Sequence, residues 1–95
     1  MPTILEEANA LVYDGERQSV YGHPQENFDK TSHLWNGYLF AKFGANTPLL
    51  RGVDVANLML MVKMARLMRT PDHRDSWVDM AGYVATGSRV EGVDE

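Results

Sequence analysis

The chain has 95 residues, 44% of them hydrophobic, and a formal net charge of -4. This composition is typical of one small globular domain and argues against a disordered chain. The acidic balance argues against a nucleic-acid partner, because that affinity depends on Lys and Arg neutralising phosphates. The chain has no cysteine, which excludes a disulfide framework and thiolate metal ligands.

No segment at the start of the chain has the charged and apolar parts of a secretory signal. The longest apolar run, Leu58 to Val62, is much shorter than the roughly 20 residues that a membrane-spanning helix needs. We therefore expect a cytoplasmic protein that has no membrane partner.

The first predicted helix spans residues 1–15, and a loop follows at residues 16–23. Thr3 followed three residues later by Glu6 predicts a capping box at the start of this helix. Gly15 is a typical C-terminal stop, and glycine at both Gly15 and Gly22 makes the following segment a poor helix. The apolar stripe of the helix consists of Ile4, Ala8, Leu11 and Val12.

The second predicted helix spans residues 24–44. Pro24 suits a first helical position and Gly44 suits the end of the helix. Trp35 and Tyr38 recur at helical spacing, which predicts that both anchor the core. Gly37 lies mid-helix at a cost of about 1 kcal/mol relative to alanine, which favours close approach of another helix at this position.

The third predicted helix spans residues 54–70 and the fourth spans residues 72–86. Asp54 is the predicted N-cap of the third helix and Asp72 that of the fourth. Pro71 separates the two helices. Residues 87–95 are small and polar, which predicts a flexible tail.

The third helix is apolar on nearly every side, so it should be buried nearly all round. A chain of this length has little of its own structure with which to cover such a helix. We therefore predict an all-α fold, a compact four-helix bundle that self-association as a homodimer or larger oligomer completes.

Two cations and two acids stand out in this apolar region. Lys63 and Arg66 lie on one face of the third helix, while Asp75 and Asp79 lie one turn apart on the fourth. One interpretation is structural, since helices joined by a short turn are antiparallel and these charges can pair across it. The other is functional: the cations hold phosphate oxygens, and Mg²⁺ lies between the two acids.

A third carboxylate for such a metal site comes from Glu26 on the second helix. The alternative is that Glu26 pairs with Lys30 at i, i+4 on a solvated surface. The three histidines do not have the H-x-x-x-H spacing of a zinc site, and no Walker A loop or nucleophile motif is present.

Several motifs resemble a family of small phage and prophage proteins of unknown function. They are Arg17, Y-G-H-P from Tyr21, E-N-F from Glu26, Trp35, D-V-A from Asp54, K-x-x-R from Lys63, H-x-D-x-x-x-D from His73 and G-Y from Gly82. The resemblance covers about residues 5–85. The helical layout of this phage family is similar to that of the all-α, MazG-like nucleoside triphosphate pyrophosphohydrolases.

That second resemblance implies a Mg²⁺-dependent enzyme that splits an NTP or dNTP into a nucleoside monophosphate and pyrophosphate. The acids of the later helix fall on Asp75 and Asp79, spaced by four residues where the enzymes have three. The earlier acidic pair falls on Lys63 and Arg66, which are cations, so Glu26 with Asp29 would have to supply the missing ligands.

The leading functional hypothesis is accordingly a phage-type nucleotide-handling protein. In it, Asp75, Asp79 and Glu26 hold Mg²⁺ and serve catalysis, while Lys63 and Arg66 bind phosphate. The nucleotide base would stack on the aromatic ring of Tyr21 or Trp35. Two alternatives stay open: a nucleotide or phosphometabolite binder without catalysis, and a structural phage oligomer whose charges are internal ion pairs.

Overall fold

A computed structural model describes residues 1–13 and 24–93 of the chain. All regular structure within these residues is helical: α1 (Ile4–Tyr13), α2 (Pro24–Phe43), α3 (Gly52–Arg69) and α4 (Arg74–Val90). The all-α prediction is confirmed. The predicted loop at residues 16–23 and the predicted stop at Gly15 lie outside the described residues.

The start of α1 has the predicted capping box. The Glu6 amide donates to Thr3 Oγ1 at 3.1 Å, and the Thr3 amide donates to Glu6 Oε1 at 2.9 Å. Two backbone amides that the helix itself cannot satisfy thereby gain acceptors.

The two ends of α2 also lie close to the predicted positions. The helix begins at Pro24, and the Gly44 amide donates to the carbonyl of Phe40 at 2.8 Å directly after it ends. Gly44 has a φ of 95°, a left-handed conformation that glycine adopts without steric cost.

The predicted cap of α3 is wrong. The helix begins at Gly52, Arg51 is its N-cap, and Asp54 is the third helical residue, whose Oδ2 accepts from the Arg51 amide at 2.7 Å. Asp54 therefore accepts a hydrogen bond from the N-cap amide while it lies in the first turn of the helix. Glycine at position 52 suits close packing, because a Cβ there would lie 2.9 Å from Asp29 Oδ1 and 3.2 Å from Val90 Cγ1.

The predicted bounds of α4 are wrong at both ends. His73, not Asp72, is the N-cap, and the helix continues through residues 87–90, which the sequence assigned to a flexible tail. Gly87 is buried, and a Cβ there would lie 3.0 Å from the Cβ of Ala56 on α3. Glycine at this position serves close helix packing, so it does not end the helix; Gly92, with a φ of 77°, follows the true end.

The helix α4 occupies the centre of the fold and packs against α3, α1 and α2, most extensively against α3. The Tyr83 ring of α4 lies near the Phe28 ring of α2, with the two ring centroids 6.5 Å apart. The segment that returns from α2 to α3 is fixed by the Asn36 amide, which donates to the Leu50 carbonyl at 2.9 Å and accepts from the Leu50 amide at 2.8 Å.

The buried core of the described residues is small. Its hydrophobic members are Ala8, Val55, Ala56, Leu67 and Val78. Tyr38 is 65% exposed, so its predicted role as a core anchor is wrong, whereas Trp35 is half-buried. Phe28 of α2 lies beside Tyr83 of α4 and Gly52 of α3, whereas Tyr38 lies on another side of α2.

Gly37 is also without its predicted neighbour. No other helix of the described residues has a heavy atom within 4 Å of the position where a Cβ would stand, so none of them makes a close approach there. In residues 1–13 and 24–93, no helix is long and apolar enough to cross a membrane.

Candidate functional site

The two helices that carry the predicted charges are joined by a rigid turn. The Trp77 indole donates to the carbonyl of Pro71 at 2.9 Å, and His73 Nδ1 is hydrogen-bonded to the buried hydroxyl of Ser76 at 2.8 Å. The first contact holds the turn against α4, and the second holds the N-cap of α4 against its first turn. Neither role was among the sequence predictions; the polar and aromatic residues two to six positions after Pro71 were the available signal.

Across this turn, Lys63 on α3 forms an ion pair with Asp79 on α4. Lys63 Nζ lies 3.1 Å from Asp79 Oδ2, and the side chains are 12% and 39% exposed, respectively. The long alkyl chain of the lysine is thus covered by protein, while the acid retains contact with water. The predicted pairing across the turn is confirmed for Lys63 and Asp79, and their binding of a ligand stays a prediction.

The other two charges do not pair. Arg66 and Asp75 lie one helical turn nearer to the connection than Lys63 and Asp79, and both are exposed. Among the described residues, neither has a partner within ion-pair distance. We call these four residues the charged edge: a closed ion pair with an exposed cation and an exposed acid beside it.

The remaining predicted site residues lie elsewhere. Glu26 is exposed in the first turn of α2, and no ion pair joins it to Lys30 in the structure of residues 24–93. Trp35 lies in the middle of α2 and is half-buried. Tyr21 is outside the described residues.

The carboxylates do not gather into a metal site. Nowhere in residues 1–13 and 24–93 do three His, Asp or Glu side chains converge on a point that could hold a metal ion. Asp79 already accepts from Lys63, and Asp75, Asp79 and Glu26 are not brought together. As arranged, these side chains do not fit Mg²⁺, which needs near-octahedral oxygen ligands. The magnesium prediction therefore rests on the resemblance alone.

Two arginines on α4 have structural roles that the sequence analysis missed. Arg74 forms an ion pair with Glu7 and donates to the carbonyl of Pro2 at 2.8 Å. Arg89 lies with its guanidinium carbon 4.7 Å from the centre of the Tyr13 ring. Both side chains hold α1 against α4, so they belong to the scaffold of the charged edge and not to the edge itself.

Comparison with known proteins places the chain in a family. Residues 3–91 match the family described as a domain of unknown function, DUF6378, and the chain belongs to this family. It is similar to the Gene 55 protein of Mycobacterium phage D29, with 46% identity over 88 residues, which are 93% of this chain and 53% of that protein. No solved structure matches the chain.

The Gene 55 protein of Mycobacterium phage L5 is 34% identical over 90 residues, which are 94% of this chain and 53% of that protein. The chain thus spans about half the length of both relatives. The predicted resemblance to a phage family of unknown function is confirmed. The finer resemblance to MazG-like pyrophosphohydrolases stays a prediction.

Proposed function

We propose that this member of the DUF6378 family binds a phosphorylated small molecule, a nucleotide above all, at the charged edge in the cytoplasm of a bacterial host. Lys63 and Arg66 would contact the phosphate. The observation that carries the proposal is Arg66, an exposed cation one turn from a lysine that is held almost buried.

Arg66 supplies the recognition. Its guanidinium offers five N–H donors in a planar fork, a geometry that matches two phosphate oxygens at once. In the described residues no carboxylate occupies this fork. The donors are therefore available to an anion without the loss of an existing ion pair.

Lys63 supplies a fixed positive charge beside Arg66. Asp79 holds its ammonium at 3.1 Å, and the ammonium has two further N–H donors. Because the lysine side chain is already ordered, binding an anion there costs little additional side-chain entropy. The ion pair with Asp79 is therefore as compatible with a lysine held in place to bind phosphate as with a purely structural contact.

Catalysis is not part of this proposal. A Mg²⁺-dependent hydrolase needs a set of carboxylates, and Asp75, Asp79 and Glu26 do not converge. Hydrolysis of an NTP or dNTP, and base stacking on Trp35 or Tyr21, stay predictions from the resemblance and from residue type.

The test is a thermal-shift and calorimetric screen with NTPs, dNTPs, nucleoside monophosphates and inorganic pyrophosphate. Each ligand is measured with Mg²⁺ and with EDTA, and pyrophosphate release is followed in parallel. We expect a phosphorylated ligand to raise the Tm in EDTA, since binding to the folded state alone stabilises it. Turnover to pyrophosphate would establish the hydrolase instead of the binder.

The variants are Arg66→Ala and a control at the other end of α3, Arg51→Ala, which removes an exposed arginine that pairs with Glu91 at 3.1 Å. Arg66→Ala should weaken binding by roughly tenfold or more, because a hydrogen bond to a charged group contributes about 1.5–3 kcal/mol. Arg51→Ala should leave affinity unchanged. If no ligand shifts the Tm, or if both variants bind like the unsubstituted chain, the proposal is wrong.

A further inference from the structure

We propose that α3 is a two-fold interface, on which the α3 helix of a second copy of this chain packs antiparallel about an axis between Met61 and Val62. This inference is independent of the charged edge, which lies on the side of α3 that faces α4.

The surface concerned is an unbroken apolar stripe. It consists of Leu58, Met61, Val62, Ala65 and Met68, here called the outer face of α3. The spacing of i, i+3, i+4, i+7 and i+10 places all five on one side of the helix. All are exposed; Met61 is 53% and Met68 81% exposed. No charged residue interrupts the stripe, which is how a helix face that packs on another helix is composed.

The described residues lack the core that a monomer of this size needs. Two of the five buried hydrophobic residues are alanines, and the largest side chain below 2% exposure is that of Ser76. A small domain is stable only if it buries a large share of its apolar surface. Apolar side chains that could provide this burial are present on α3, but they are exposed in the described structure.

The outer face has the composition of an interface, since two of its five residues are methionines. Homodimer interfaces are more apolar than other interfaces, and methionine is enriched in interfaces.

The sequence of α3 indicates why the occupant is a second copy in antiparallel orientation. In a two-fold contact, if residue i meets residue j then j meets i, so paired residue numbers have a constant sum. With the axis between Met61 and Val62, Leu58 faces Ala65 of the second copy. One turn further out at each end, Asp54 faces Arg69.

This register places an acid opposite a base twice in the dimer. Asp54 lies in the first turn of α3 and Arg69 in the last, and the described structure contains no ion pair to either side chain. The antiparallel arrangement also sets opposite ends of the two helix dipoles beside each other. In a parallel arrangement, Arg69 would instead face Arg69.

Another exposed apolar surface lies on α2. Its large members are Leu34, Tyr38, Phe40 and Phe43. At 100° per residue they span roughly 220° of the helix circumference and do not form one stripe. The apolar residues of the outer face of α3 do form one stripe, so we assign the self-contact to α3.

The absence of native cysteine allows a direct test with single-cysteine variants of the whole chain. Met61→Cys and Val62→Cys place their two copies about 1.5 Å apart along the helix axis, at a rise of about 1.5 Å per residue. Leu58→Cys and Met68→Cys separate theirs by about 10 and about 20 Å. Under a mild oxidant, the first two variants should form disulfide-linked dimers and the last two should not.

The other outcomes overturn the proposal. Equal cross-linking of Met61→Cys and Met68→Cys would indicate a parallel pair. Cross-linking of Tyr38→Cys alone would place the interface on α2, and no cross-linking at any position would exclude a self-contact on either helix.

Charge reversal checks the register separately. Arg69→Glu should raise the dimer Kd by roughly tenfold. By symmetry, the substitution removes both Asp54–Arg69 ion pairs of the dimer, and each exposed pair contributes modestly to its stability. Arg66→Glu, one turn earlier but turned towards the charged edge, should leave the Kd unchanged and abolish phosphate binding. An unchanged Kd for Arg69→Glu would contradict the register.

Discussion

The two sides of α3 differ in a way that reverses the usual distribution of charge and apolar surface. On the inner side, the Lys63 side chain is 12% exposed and pairs with Asp79 of α4, and Val55, Ala56 and Leu67 of α3 are buried. On the outer side, Met61 carries no charge and is 53% exposed.

Different partners account for the positions of the charged and the apolar side chains. The inner charge is stable where it lies because its partner comes from the neighbouring helix and both groups keep some hydration. The outer face is exposed in the described structure, and in the proposed dimer a second copy of the chain would cover it. Substitutions on the two sides of α3 should therefore have separate effects, which can be measured separately.

The largest expected effect tests the inner side. Leu67→Ala should lower the free energy of unfolding by about 2–5 kcal/mol, since it removes buried methyl groups and leaves a cavity. The matched control is Leu49→Ala, whose side chain is 79% exposed before α3 begins, and this change should stay within about 0.5 kcal/mol. Urea titration at one fixed protein concentration gives both values. Equal losses for the two variants would mean that the inner side is not the core.

The ion pair comes next. Asp79→Leu should cost about 1–2 kcal/mol, because it leaves the Lys63 ammonium without its partner in a mostly covered position; exposure of the acid limits the loss. Lys63→Met together with Asp79→Leu should recover most of that loss. A double-mutant cycle of unfolding free energies tests this. Additive effects of the two changes would show that the pair is not coupled.

Two glycines provide a matched comparison of packed and open positions. Gly52→Ala should destabilise by about 1–3 kcal/mol, since the new Cβ would lie 2.9 Å from Asp29 Oδ1 and 3.2 Å from Val90 Cγ1. Gly37→Ala has open space and should stabilise by about 0.5–1 kcal/mol through helix propensity. Thermal unfolding of both variants checks the signs. A destabilised Gly37→Ala would show that another molecule packs on α2 at this position.

The smallest effect lies away from α3, in the capping box of α1. The pKa of Glu6 is below its ordinary value of 4.5 because the Thr3 amide donates to the carboxylate, with a further contribution from the Thr3 hydroxyl. A lowered pKa contributes stability that is present above pH 4.5 and is lost as the pH falls through the folded-state pKa.

The advantage of the unsubstituted chain over Glu6→Gln should therefore shrink between pH 5 and pH 3, about the range in which a carboxyl titrates. Circular dichroism melts at matched ionic strength measure it. An advantage that grows on acidification would contradict the assigned hydrogen bond.

Much of the local structure could be predicted from the sequence, because its signals are local. The capping box at Thr3 and Glu6 and the stop at Gly44 depend on backbone groups a few residues away. The Lys63–Asp79 pair followed from helical spacing and a short turn, both of which are also local.

The errors arose where distant contacts decide. Gly87 resembles a helix stop in sequence, but close packing on Ala56 keeps it helical. Tyr38 belongs to a helix that is apolar on more than one side, so periodicity alone does not tell which side faces the core. The distance of Glu26 from Asp75 and Asp79 likewise depends on how α2 docks, which no spacing within one helix encodes.

The most direct test of the contrast between the two sides of α3 is the molar mass of the chain in solution, measured by sedimentation equilibrium over a range of concentrations. We predict a species of about twice 10.7 kDa that Met61→Glu converts to one of 10.7 kDa, because a charge at the two-fold axis would meet its own copy. A mass of 10.7 kDa for the unsubstituted chain at every concentration, or a dimer that tolerates Met61→Glu, would contradict the assignment of the outer face.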